Sequence, residues 1–131
     1  MHEAKDKKSE SKSVDYRIAL VGNPNVGKSV LFGLFTGKYV TVSNYPGTTV
    51  EVTRGMYAGS NDTIEVVDTP GANSLISHSE DERVARDILL RDEEKRVLQI
   101  LDAKNIHRGL LITTQLAEMG LPISIGLNMW D

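Results

Sequence analysis

The chain has 131 residues, a formal net charge of −3 and no cysteine. That length suits one domain with its own core. The lack of cysteine excludes disulfides, thiolate metal sites and cysteine nucleophiles, and the acidic balance gives no electrostatic case for a nucleic-acid partner.

Residues 1–14 mix lysines, acids and small polar residues and contain no apolar stretch of the secretory-signal kind. They predict a disordered tail ahead of one domain at 15–131. YRIALV, Tyr16–Val21, is a short apolar run stopped by Gly22 and predicts a buried strand. From Gly27 to Gly37, Val30, Leu31, Leu34 and Phe35 recur at helical spacing. KYVTVSNYPG has no stable period and predicts a loop. Thr49–Ala58 alternates and is β-branched; GSND turns the chain, and TIEVVD, Thr63–Asp68, follows as the partner strand of a hairpin. In EDERVARDILLRD, Val84, Ala85, Ile88 and Leu89 share a helical face, with the acids of Ser79–Glu82 suited to its N-terminus. KRVLQILDA is the next strand. A helix follows with Asn105 as N-cap and Gly120 as stop, and LPISIGLN is the last strand. Strands alternating with helices predict an α/β domain, its sheet mostly parallel and covered by helices on both faces. No run approaches the ~20 apolar residues that cross a bilayer.

GNPNVGKS fits G-x-x-x-x-G-K-[ST], with Gly22, Gly27, Lys28 and Ser29 at the fixed positions. Glycines open a backbone path that β-carbons block, so that successive N–H groups and the helix N-terminus face an anion. Lys28 then neutralises β- and γ-phosphates and Ser29 offers a hydroxyl to Mg²⁺. The plain alternative is a glycine-containing turn. DTPG, Asp68–Gly71, ends a strand; Asp68 is placed to hold Mg²⁺ through water, and the Gly71 N–H to meet a γ-phosphate. In NYPGTTVE, Thr48 and Thr49 compete to complete the Mg²⁺ shell, with strand initiation as the plain reading of either. Asn128 and Asp131 of NMWD stand at N-x-x-D spacing. A carboxylate there accepts two hydrogen bonds from guanine and is left unpaired by adenine; a helix cap is the alternative. His78 and His107 are isolated and read as surface or structural residues, and Trp130 as a hydrophobic cap or a neighbour of the base.

GNPNVGKS, PGTTVE, DTPG and NMWD, in that order, resemble the four successive motifs of a translation-factor-type GTPase. They are most similar to the cytosolic G domain of the ferrous iron transport protein B family, which carries a methionine after the asparagine of its fourth motif. SEDERVARDILL and the run from Leu101 to Asp131 are also similar to that family, so the resemblance covers 16–131. It implies a P-loop GTPase fold, C-terminally truncated because the chain stops at Asp131 without a fifth motif. It implies GTP hydrolysis with Mg²⁺ held by Ser29, Thr49 and Asp68, and K⁺ held by Asn25. Lys28, Asn25, Thr49 and Gly71 are the implied catalytic set. Asn23, Pro24, Val26, Val30, Thr48, Thr69, Pro70 and Met129 join the motif residues in the implied nucleotide contact. The implied role is a switch regulating ferrous iron transport, at the cytosolic face of the inner membrane and joined to a membrane channel. A ribosome- or RNA-assembly GTPase shares the first three motifs, but no basic extension supports it. A nucleotide-binding module without turnover is a third reading, prompted by Ala72, which stands where Ras-type GTPases carry the glutamine that orients water.

Overall fold

A computed structural model describes residues 14–37, 40–57, 59, 61–76, 78–91 and 94–128. The elements are β1 (Tyr16–Gly22), α1 (Lys28–Thr36), β2 (Val40–Asn44), β3 (Glu51–Met56), β4 (Ile64–Asp68), α2 (Glu80–Leu90), β5 (Arg96–Asp102), α3 (Ile106–Glu118) and β6 (Ile123–Asn128). Except for Val14, the stretch read as a tail lies outside the described residues, as do Met129, Trp130 and Asp131.

Six strands form one sheet in the order β2-β3-β4-β1-β5-β6. β1 is parallel to both β4 and β5, and β6 extends that parallel half. β3 pairs antiparallel with β4 as the predicted hairpin, and β2 pairs antiparallel with β3. β1 is central, and its alternation sorts the core. Ala19 and Val21 join Leu75, Ala85, Leu89, Ile112 and Leu116 beneath α2 and α3, whereas Leu20 joins Phe32 and Val66 beneath α1. Helices therefore cover both faces, as predicted. Among the described residues no helix is long and apolar enough to cross a membrane.

Two local expectations, on β2 and β3, are corrected. Val40–Asn44, within the predicted loop, is an edge strand with all five residues exposed. It lacks an inward face, so no hydrophobic alternation marks it; pairing with β3, from Val40↔Gly55 to Asn44↔Glu51, makes it a strand. The strand predicted over Thr49–Ala58 is shorter, Glu51–Met56, which leaves Thr49 in the preceding turn. The helix expected between Gly27 and Gly37 is α1, on which Val30 and Leu34 are 70% and 77% exposed and Lys28, Phe32 and Thr36 are buried. Those three share one stripe at i, i+4, i+8, and residues 30 and 34 fall on the far side. Burying Phe32 contributes roughly 1.5–3 kcal/mol. Asn105 stands at the N-cap of α3 but makes no side-chain capping bond; its N–H donates to the Asp102 carbonyl at 3.0 Å, closing the strand–helix turn instead.

The parallel register brings the carboxyl ends of β1, β4, β5 and β6 to one edge, with Leu20 level with Asp68, Gly22 with Ile100, and Asp102 with Asn128. Open α/β sheets bind ligands at that edge.

Candidate functional site

Between β1 and α1 the chain makes a loop whose backbone only certain residues tolerate. Gly27 has φ 85°, and Asn25 has φ 67°, the one positive value at a non-glycine among the described residues. Asparagine visits this region more readily than most side chains. The loop borders a cavity of about 490 Å³, lined by Asn23, Pro24, Asn25, Gly27, Lys28, Ser29, Val30, Gly71 and Asp81. The structure thus joins the glycine-rich loop to Gly71, about 40 residues away in sequence. The lining does not include Thr48, Thr49 or Asp68.

Lys28 is 8% exposed and donates to the Asp68 carboxylate and to the Thr69 carbonyl. Ser29 Oγ donates to the other Asp68 oxygen at 3.2 Å. A hydroxyl and a carboxylate at hydrogen-bond distance suit a Mg²⁺ ion that takes most of its remaining ligands from phosphates and water. Among the described residues no group of three or more His, Asp or Glu side chains is gathered to hold a metal by itself; His78 and His107 are exposed.

The turn before β3 separates the two threonines. Thr48 Oγ1 donates to the Tyr45 carbonyl at 2.9 Å and accepts from the Val50 N–H at 3.0 Å. Its hydroxyl is committed to the turn, whereas Thr49 is exposed. Thr69 is 1% exposed and donates to the Leu20 carbonyl at 2.6 Å, so its side chain fastens β4 to β1.

Gly71 lies on Pro24: a β-carbon there would stand 3.0 Å from Pro24 Cα. Just beyond, the Ala72 N–H donates to the Gly22 carbonyl at 3.0 Å, and the buried Asn23 amide donates to the Ala72 carbonyl at 3.2 Å. Asn128, ending β6, donates from its side chain to the Val26 carbonyl at 2.9 Å. It lies so close to Gly27 that any β-carbon there would collide with it.

The family model for ferrous iron transport protein B matches residues 16–131. The chain belongs to that family. It is 46% identical over 105 residues to the Fe(2+) transporter FeoB of Methanocaldococcus jannaschii, which covers 80% of this chain and 16% of that protein. The chain spans about a sixth of the length of the curated relatives it matches. A GDP-bound crystal structure of a mutant S. thermophilus NFeoB superposes with a TM-score of 0.83 at 46% identity, over 88% of this chain and 45% of that one. The cytosolic domain of L. pneumophila FeoB gives 0.81 at 38% identity, over 88% and 49%. The fold is that of a P-loop GTPase G domain.

Within this ferrous iron transport protein B fold, Ala72 is 1% exposed and packs with Val21, Leu75, Ala85 and Ile112. A longer side chain at 72 has no route to the cavity without unpacking that cluster. Ala72→Gln is therefore expected not to raise GTP turnover and to lower stability by about 1–3 kcal/mol through overpacking. Steady-state phosphate release together with urea denaturation checks both; a faster enzyme would show that the position faces the nucleotide.

The loop after DTPG has two side-chain anchors that sequence reasoning missed. Glu82, 8% exposed, accepts from the N–H groups of Asn73, Ser74 and His78 at 3.0–3.1 Å. Burial pushes its pKa up, but these three donors outweigh that and hold it below the usual value. Ser79 Oγ accepts from the Glu82 N–H, so the S-x-x-E spacing of a capping box was the available signal. Gln115 on α3 accepts from the Leu75 N–H at 2.7 Å and donates to Ser74 Oγ at 2.9 Å. Nothing in its helical spacing distinguished it from a surface glutamine.

Proposed function

We propose that this chain is a GTP-binding, GTP-hydrolysing switch domain that regulates ferrous iron transport at the cytosolic face of a membrane, joined to a channel portion like that of its longer relatives. The observation that carries this reading is the cavity that brings the Lys28 loop and Gly71 together at the carboxyl edge of the sheet. Family membership supports it, and GDP bound in the S. thermophilus relative supports the choice of nucleotide.

The reaction is transfer of the γ-phosphoryl group to water. The N–H groups between Gly22 and Val30, Pro24 having none, cradle the phosphates, and Lys28 leaves Asp68 to neutralise the β- and γ-oxygens. Ser29, Thr49 and Asp68 are the residues that would hold Mg²⁺, which would supply positive charge to the phosphates. The Gly71 N–H donates to the γ-phosphate. Asn128, Met129 and Asp131 are the motif residues that would contact guanine, with the Asp131 carboxylate reading its N–H groups. No arginine lies between Gly22 and Val50, so charge on the leaving oxygen needs another cation; Asn25 is the residue that would hold K⁺ there. Electrostatic stabilisation at that point is a large part of catalysis.

GTPase rates in matched K⁺ and Na⁺ buffers test the reading. The parent is expected to be at least about tenfold faster in K⁺, below the ~10³–10⁵ that an arginine supplies. Asn25→Ala is expected to lose that advantage while still binding GDP. A parent indifferent to the cation removes Asn25 from catalysis, and a parent with no GTPase activity in either buffer removes the function.

A further inference from the structure

We propose that Tyr45 and Asp87 form a latch that holds the Thr49 turn away from the phosphate cavity, so that a triphosphate must release it. This rests on the reading of Thr49 as a Mg²⁺ ligand.

The turn is closed on itself. The Tyr45 N–H donates to the Val50 carbonyl at 2.8 Å, and the Thr48 N–H donates to the Tyr45 carbonyl at 2.9 Å. The Thr48 hydroxyl bridges the same two residues. With β2 and β3 paired as far as Asn44↔Glu51, the hairpin is complete and Thr49 is left exposed at its tip, off the cavity lining. Reaching Ser29 and Asp68 requires this turn to open.

What resists opening is Tyr45. Its ring is 7% exposed and packs with Val52, Val67, Val84 and Ile88. Its hydroxyl donates to the Asp87 carboxylate on α2. Burial, and then Asp87, push that hydroxyl's pKa up, so it stays a donor. Arg91, one helical turn on, lies 5.1 Å above the ring and 4.0 Å from Asp87. The first turn of the same helix carries Glu82, which fastens the loop after DTPG. One helix thus holds both segments that a γ-phosphate has to attract.

Tyr45→Phe and Asp87→Ala remove the tie without emptying the core. Asp87 is 56% exposed, so water replaces the lost partner. In the full chain each variant is expected to raise affinity for a non-hydrolysable GTP analogue by about three- to tenfold, the shift from losing one ordinary hydrogen bond, and to leave GDP affinity unchanged. Because the chain has no cysteine, a dye attached through Pro46→Cys reports the turn alone. The latch variants are expected to move its fluorescence toward the analogue-bound value before any nucleotide is added. Parallel changes in analogue and GDP affinity, or unchanged affinities with an unmoved dye, overturn the latch. Thr49→Ala separates the two ideas. If it leaves analogue affinity intact while the latch variants still move the dye, the latch stands and the Mg²⁺ role of Thr49 falls.

Discussion

Replacing Lys28 by alanine is expected to lower GTP affinity by about a hundredfold or more, in line with the ~2–5 kcal/mol cost of truncating one partner of a buried charge pair. No other basic residue lies between Gly22 and Ser29, so nothing nearby replaces the ammonium group. The effect has a second part without nucleotide. Lys28 neutralises Asp68, which is only 12% exposed, and alanine leaves that carboxylate buried without its cation. The variant is therefore expected to melt lower even when empty. Titration with a fluorescent GTP analogue and thermal melting of the nucleotide-free protein check the two parts. An alanine variant that binds GTP as the parent does would mean that the loop is a turn and not a phosphate cradle.

Asp131→Ala is expected to erase most of the preference for guanine over adenine nucleotides, a loss of about 10- to 100-fold, given that hydrogen bonds to charged groups contribute ~1.5–3 kcal/mol. The structural support comes from its neighbour in the motif. Asn128 is tied to the P-loop through the Val26 carbonyl, and its own carbonyl accepts from the Ala103 N–H at 2.8 Å. The motif therefore starts from a fixed point beside the phosphate cavity. Competition titrations with GDP, ADP and their triphosphates measure the ratio. Equal affinities in the parent for guanine and adenine nucleotides would remove the base-reading role of Asp131.

Much of this fold is written in local pattern. YRIALV and RVLQILD are predominantly apolar because their central residues are buried on both faces, Gln99 being the one polar side chain among those of RVLQILD, and Gly22 and Asp68 end strands at the edge where chemistry collects. The Lys28 loop was legible because its glycines and lysine must stand at set spacing for backbone groups to reach phosphate. β2 was not legible, because an edge strand with every side chain exposed has nothing to alternate. The inward stripe of α1 is not marked by hydrophobicity alone, because Val30 and Leu34 are apolar yet face outward. The division of labour between Thr48 and Thr49 rests on a turn four residues wide, which no periodicity encodes. Gln115 and the Tyr45–Asp87 pair act across the fold, at separations of 40 and 42 residues. Such contacts depend on which helix lies over which loop, and so on tertiary structure.

The hydrogen bond from Asn128 to Val26 spans 102 positions of the chain. Contacts between distant segments form only after the loop between them has been closed, at an entropic cost that local turns do not meet. The glycine-rich loop sits near the start of the domain, yet it gains this brace only when β6 has docked against β5. A chain emerging in order from its N-terminus thus carries an unfinished anion cradle until β6 arrives.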